Sequence, residues 1–164
     1  MNFSSLKEYF YKLANRCSLL VLLPLAVFIY LFHQLMTQQI EPIIQDEVRV
    51  DIIIITLCTF ALVNLTTVYW IAKRRLKKYV AEVGLGRKLD RYYEIVMFRI
   101  AANSASSLMM AAGLLLTGSE VFGILFMGIL VWTLFQWPTS TKACRDLRLK
   151  GDEYEMVLYK KDKF

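Results

Sequence analysis

Four stretches of this sequence are long and apolar enough to cross a membrane. They cover residues 17–36, 52–72, 93–117 and 121–137. About 20 apolar helical residues cross the roughly 30 Å of hydrocarbon in a bilayer, and a helix satisfies its own backbone hydrogen bonds there. We therefore expect an all-α, polytopic membrane protein with four transmembrane helices and short cytosolic helical extensions. A composition that is 57% hydrophobic agrees with this class.

Charge is distributed unequally between the connecting segments. The segment from Lys73 to Arg99 has nine basic and three acidic residues, whereas the connection before Ile52 has four acidic residues and one arginine. Cytosolic loops of membrane proteins carry an excess of Lys and Arg. We therefore expect a plasma (inner) membrane protein with the middle connection and both termini in the cytosol.

The segments outside the four stretches also have helical patterns. Residues 1–16 contain a capping-box pattern at Ser5-Leu-Lys-Glu8 and predict a cytosolic amphipathic helix. Residues 73–92 predict a basic cytosolic hairpin that is interrupted at Gly84, within a membrane bundle covering 17–137. Residues 138–164 predict a cytosolic helical tail.

A polar face runs along the third stretch, which is the least apolar of the four. Arg99, Asn103 and Ser106 share this face at helical spacing, and Asn64 and Thr67 lie in the second stretch. Polar groups inside a membrane face protein or water rather than lipid. We interpret these five residues as an intramembrane polar seam, which either joins helices or lines a wet path.

The two asparagines of the seam are expected at nearly equal depth. Asn64 and Asn103 each lie two to three residues to the cytosolic side of the centre of their span. An amide in hydrocarbon needs a partner, so we predict that they bond to each other or to the same neighbour. Arg99 lies close enough to the start of its span to extend back to the headgroups.

A cluster of cations forms the predicted cytosolic basic surface. It attracts anionic lipid headgroups, which we favour over nucleic acid as its partner. Its members are Lys73, Arg74, Arg75, Lys77, Lys78, Arg87 and Lys88.

Most patterns of known catalytic and metal sites are absent from the sequence. Three cysteines and one histidine do not have the spacing of a metal site, and phosphate-loop, nucleophile-elbow and dinucleotide-glycine patterns are absent. We therefore expect no cofactor, no metal and no enzymatic activity.

One short resemblance points to a different class. The segment Arg99-Ile-Ala-Ala-Asn103 resembles the Arg/Asn helix motif of the glutathione-using membrane enzymes of eicosanoid and detoxification metabolism, which are also four-span proteins. The likeness covers five residues, lacks the preceding glutamate and falls on the third span instead of the second. It implies a small four-span enzyme acting on lipid or thiol substrates, which we keep as an alternative.

The polar seam and the small residues of the third stretch favour self-association. Our leading hypothesis is a homo-oligomer that forms a channel or pore-like assembly and alters membrane potential under the control of a cytosolic protein partner. The main alternative is a non-conducting scaffold or accessory subunit of a larger complex, in which the seam only joins helices.

Overall fold

The computed structural model describes residues 5–44, 46–80 and 84–160, and it confirms the expected all-α class. Within these residues the chain forms helices and turns, without a strand. The helices are α1 (Leu6–Met36), α2 (Glu47–Tyr79), α3 (Leu85–Thr117), α4 (Val121–Phe135), α5 (Ser140–Asp146) and α6 (Gly151–Tyr159). Residues 1–4, 81–83 and 161–164, which belong to the predicted N-terminal helix, hairpin and tail, lie outside the described residues, as does residue 45.

Three of these helices are long and apolar enough to cross a membrane. They are α1, α2 and α3, with 31, 33 and 33 residues. The shorter α4 meets the same criterion only when it is joined to α5, and the two helix axes differ by 76°. The structure thus has three candidate spans, or four if the bent pair counts as one.

The first helix does not end at the predicted boundary, residue 16. The predicted amphipathic helix and the first apolar stretch form one continuous helix, α1. Between Leu6 and Leu23 the sequence has no glycine or proline to interrupt the hydrogen-bond ladder, which explains the continuity. The Ser5 Oγ accepts a hydrogen bond from the Glu8 backbone N–H at 3.1 Å, as a capping residue does.

The second and third helices also extend beyond the predicted spans. The helix α2 begins five residues before the 52–72 stretch and ends seven residues after it. The helix α3 begins eight residues before residue 93. The restart of α3 follows Gly84, whose φ of +95° is a conformation that side chains disfavour. The fourth helix ends at Phe135, two residues before the predicted end at Trp137.

The chain divides into two compact units that the sequence analysis did not foresee. The basic unit comprises Met1–Ser18, Tyr69–Arg99 and Trp137–Phe164, and the apolar unit comprises Leu19–Val68 and Ile100–Gln136. The basic unit has 19 Lys and Arg against nine Asp and Glu, a formal charge of +10, whereas the apolar unit has one against five, a charge of −4. Positive charge is therefore concentrated in one unit.

The apolar unit has a core made by side chains of all four of its helices. Phe28 of α1 and Phe126 of α4 stack with ring centroids 4.1 Å apart. Met110, Leu114 and Phe122 are buried beside them. In the most apolar 18-residue segment of each long helix, 56% of the segment is buried in α3, against 11% in α1 and 11% in α2. The central helix of this unit is therefore α3.

Hydrogen bonds of tyrosines and an ion pair between two helices connect segments of the basic unit. The Tyr9 hydroxyl donates to the Leu89 carbonyl at 2.7 Å, and the Arg16 guanidinium donates to the Tyr93 hydroxyl at 2.5 Å. Lys88 Nζ lies 2.8 Å from Glu153 Oε2, which joins α3 to α6. The side chains of Tyr92 and Tyr93 are both buried in this core.

Close packing of α3 against α4 depends on the absence of a side chain at Gly113. A Cβ at this position would lie 2.6 Å from Cζ of the buried Phe122 ring. Real Cβ atoms do not approach other carbons so closely, so the ring or the helix would have to move.

We predict that Gly113→Ala destabilises the protein by about 1–3 kcal/mol through this overpacking. Unfolding of the purified protein in SDS–detergent mixtures measures the change. The matched control is Gly128→Ala, because a Cβ at Gly128 meets no atom within 4 Å. That variant should be neutral or gain up to about 1 kcal/mol from helix propensity. Equal losses in the two variants would contradict this explanation.

Candidate functional site

The polar face of α3 makes hydrogen bonds within the apolar unit. Asn64 Nδ2 on α2 donates to Ser106 Oγ at 2.8 Å and lies 3.3 Å from the Ala102 carbonyl oxygen. Ala102 and Ser106 are four residues apart and lie on the same face of α3. One amide of α2 is therefore bound by two groups of α3.

Two further side chains of α3 bond to the other helices of the unit. Asn103 Nδ2 donates to Thr133 Oγ1 on α4 at 3.1 Å. Ser104 Oγ donates to the Leu20 carbonyl on α1 at 2.6 Å. Together with the bond from Asn64, α3 is linked by a polar contact to each of α1, α2 and α4.

The predicted pairing of Asn64 with Asn103 is wrong. Asn64 bonds to Ser106, whereas Asn103 bonds to Thr133. Ser106 shares a face of α3 with Ala102, and Asn103 lies about 100° away from Ala102 around the helix axis, so the two amides have different partners. Asn103 and Ser106 are 2% and 0% exposed. These groups of the predicted seam are buried and partnered, as expected of residues that join helices.

Thr67 does not lie in this cluster, although we had placed it in the seam. Its side chain is exposed on α2, and no side-chain hydrogen bond is found for it among the described residues. Three other threonines share the exposed surface of α2, and each donates its hydroxyl to the carbonyl four residues before it: Thr56, Thr59 and Thr66. The polar residues of α2 therefore divide between an inner contact at Asn64 and an outer, exposed set.

Arg99 belongs to the basic unit, where its side chain is only 5% exposed. The expectation that it extends to the headgroups is therefore wrong for this structure. Its positive charge acts on Lys142 of α5, whose pKa is lowered first by burial and then by Arg99, while Asp146 opposes the shift. Arg99 is thus an interior cation of the basic unit.

Most of the predicted basic surface is exposed, with one exception. The side chains of residues 73–75, 77, 78 and 87 are exposed, whereas Lys88 is half-buried and paired with Glu153. The Arg74 guanidinium stacks 3.4 Å from the Trp70 ring centroid, and Arg75 lies 5.4 Å from that of Phe98. Cation–π contacts therefore order part of this surface.

Sequence reasoning missed Thr133 and the role of Ser104. Thr133 carries the only hydroxyl in α4, which is otherwise almost wholly apolar. Thr133 is 12 residues after the start of α4 and Asn103 is 14 residues before the end of α3, which places them at similar distances from the turn between the helices. A comparison of depths between the third and fourth stretches, instead of the second and third, predicts the observed pair.

The described residues do not contain a group of three or more His, Cys, Asp or Glu side chains that could hold a metal ion. Comparisons with known protein families, with curated proteins and with solved structures find no match to this chain. Its function is therefore inferred from its own residues.

We predict that Thr133→Val lowers stability by about 0.6 kcal/mol, and by no more than about 1.7, as for other hydrogen bonds between membrane helices. Valine keeps the shape of threonine but removes the acceptor for Asn103. The measurement is unfolding in SDS–detergent mixtures.

The control for this prediction is Thr67→Val, which makes the same chemical change at an exposed position and should alter stability by less than about 0.5 kcal/mol. In the double variant Thr133→Val, Asn103→Leu, the two losses should not add, because both remove the same bond. Simple additivity would show that the two side chains act independently.

Proposed function

We propose that this protein is a non-conducting membrane scaffold or accessory subunit, anchored by four spans, whose basic unit docks a cytosolic protein. The observation that supports this proposal most directly is the partnering of Asn64, Asn103, Ser104 and Ser106 within the apolar unit. Side chains that line a water path present their polar atoms to the path, whereas these four are bound to neighbouring helices. The polar groups of α3 then serve to fix the bundle.

Charge supports a topology with both termini in the cytosol. The basic unit contains both end segments and the α2–α3 connection, and it has the charge of +10. The connections within the apolar unit, between α1 and α2 and between α3 and α4, are acidic. The positive-inside rule then places the basic unit in the cytosol, which requires α4 to cross the membrane as a fourth span.

Cysteine labelling tests the fourth span. In a variant with Cys17, Cys58 and Cys144 changed to Ala, we expect Ile43→Cys to react with a membrane-impermeant maleimide in intact cells. Lys150→Cys should react only after lysis. Both positions are exposed. If α4 does not cross the membrane, positions 43 and 150 lie on the same side and both react in intact cells.

The exposed cations of the basic unit provide a surface for an acidic partner. Positions 73–75, 77 and 78 follow one another on the last turns of α2 and are exposed to solvent. Charge complementarity of this kind guides association and selects partners more than it adds affinity. A helical unit beside the membrane would hold such a partner at the bilayer surface.

The proposal predicts that the protein does not dissipate an ion gradient. Vesicles that contain the purified protein and a potassium gradient should lose the gradient at the rate of protein-free vesicles, with gramicidin as the positive control. A potassium-selective electrode outside the vesicles, with a protonophore that carries the compensating charge, measures this rate. Protein-dependent decay at a low protein-to-lipid ratio would overturn the non-conducting function.

One observation favours a second candidate, an oligomeric channel lined by α2. Four threonines, Thr56, Thr59, Thr66 and Thr67, lie on the exposed surface of an otherwise apolar region of this helix. A ring of copies could enclose these hydroxyls. If the protein is such a channel, we expect native mass spectrometry to find a discrete ring-sized oligomer. Changing all four threonines to Val should then reduce the protein-dependent ion flux.

The enzyme alternative depends on Arg99. A thiol or lipid substrate would have to bind beside this guanidinium, which is 5% exposed and lies in the basic unit, while Asn103 of the same sequence motif lies in the apolar unit. Saturable binding of glutathione that is lost in Arg99→Gln would favour this alternative.

A further inference from the structure

A groove of about 760 Å³ lies in the basic unit, and the proposed scaffold function does not use it. Its walls come from the first turns of α1 and from residues 137–140, with Lys160 at the end of α6. Binding sites for small molecules have volumes of roughly 300–1,000 Å³. The groove therefore has the size of a site for a small molecule or a lipid headgroup.

One part of the groove is aromatic and apolar. Phe10, Tyr11, Trp137 and Pro138 line it. Tyr11 is 72% exposed, although it is a large aromatic side chain, and Trp137 follows the end of the apolar helix α4 by two residues. Trp and Tyr are enriched where proteins meet the headgroup region of a bilayer, so these rings suit contact with lipid.

The other part of the groove carries positive charge. Lys7 and Lys160 line it. Among the described residues, neither forms a salt bridge with a carboxylate. The one acidic side chain in the lining, Glu8, is paired with Lys12 at 2.5 Å. Lys160 Nζ lies 5.9 Å from the Phe10 ring centroid, which places this cation beside the apolar part. Among the described residues, the groove thus presents two cations that are not paired with a carboxylate.

We propose that this groove binds the headgroup of an anionic phospholipid. The phosphate accepts hydrogen bonds from the ammonium groups of Lys7 and Lys160, and the glycerol and upper acyl region lie against Tyr11 and Trp137. Because the groove combines cations with interfacial aromatic rings, it suits a lipid better than a soluble anion or an acidic peptide. This site does not include the exposed cations of α2, which the proposed function assigns to an acidic partner.

Quenching of Trp137 fluorescence by brominated lipid tests the proposal. Trp70→Phe and Trp132→Phe leave Trp137 as the only tryptophan. In phosphatidylcholine vesicles, brominated phosphatidylglycerol should quench Trp137 more strongly than brominated phosphatidylcholine at equal mole fraction. Lys7→Gln and Lys160→Gln should each weaken the apparent affinity for phosphatidylglycerol about fivefold, the factor that corresponds to one lysine at an anionic surface.

The matched control is Lys150→Gln, which removes the same charge from an exposed residue of the basic unit outside the groove lining. This variant should keep the affinity of the parent protein. Equal quenching by the two brominated lipids would overturn the proposal. An equal loss in Lys150→Gln would also overturn it, because the attraction would then be a diffuse surface effect.

A second measurement avoids the tryptophan substitutions. Native mass spectrometry of the otherwise unaltered protein, released from mixed phosphatidylglycerol–phosphatidylcholine nanodiscs, should find bound phosphatidylglycerol in excess of its share of the lipid. That excess should fall in Lys7→Gln, Lys160→Gln and stay in Lys150→Gln. Retention of the two lipids in their mixing ratio would exclude a selective headgroup site. Displacement by soluble glycerol phosphate at equal concentration would assign the groove to a free phosphate compound instead.

Discussion

A polar side chain inside an apolar bundle has to find a partner, and this requirement explains the arrangement of α3. The helix carries more polar residues than a lipid-facing helix tolerates, and it is the most buried of the long helices. Its Ser104, Ser106 and Asn103 side chains are bonded to α1, α2 and α4, respectively. Because each contact uses a different direction around α3, the three neighbours are fixed in position around it by bonds as well as by packing.

The sequence predicted the helical class and the position of the polar face, but not the partners of that face. Hydropathy and helical periodicity locate apolar stretches because both depend on residues close together in the chain. Which helix Asn103 faces depends on the rotation of α3 against α4, which a pairing based on depth alone does not include. Thr67 was wrongly assigned to the seam for the same reason. Its depth in the span matches that of the seam, but its side chain lies on the exposed surface of α2. The long extension of α1 was also missed, because an apparent change from amphipathic to apolar pattern does not by itself end a helix.

Burial of charge in the basic unit was equally hard to foresee. Arg99 and Lys88 belong to segments rich in cations, and such segments are usually solvated. Here Lys88 is paired with Glu153, which is 65 residues away in the chain, and the aromatic rings of Tyr9 and Tyr92 enclose part of the interior. A partner that distant leaves no local signal, so the sequence alone assigned Lys88 to the open surface. The exposed cations at the end of α2 follow the expected pattern because their environment is set by neighbours within one helical turn, such as Trp70 beside Arg74.

The basic unit draws on the beginning, the middle and the last part of the chain. Its three segments are separated by residues of the apolar unit, so they are synthesised at different times. The ion pair between Lys88 and Glu153 and the contact of Cys144 Sγ with the Tyr154 carbonyl at 3.8 Å can form only after the ribosome has passed α4. During biosynthesis the packing of α3 against α6 therefore forms only after the last of these helices has been made. The apolar unit can be completed earlier, because all of its residues precede position 137.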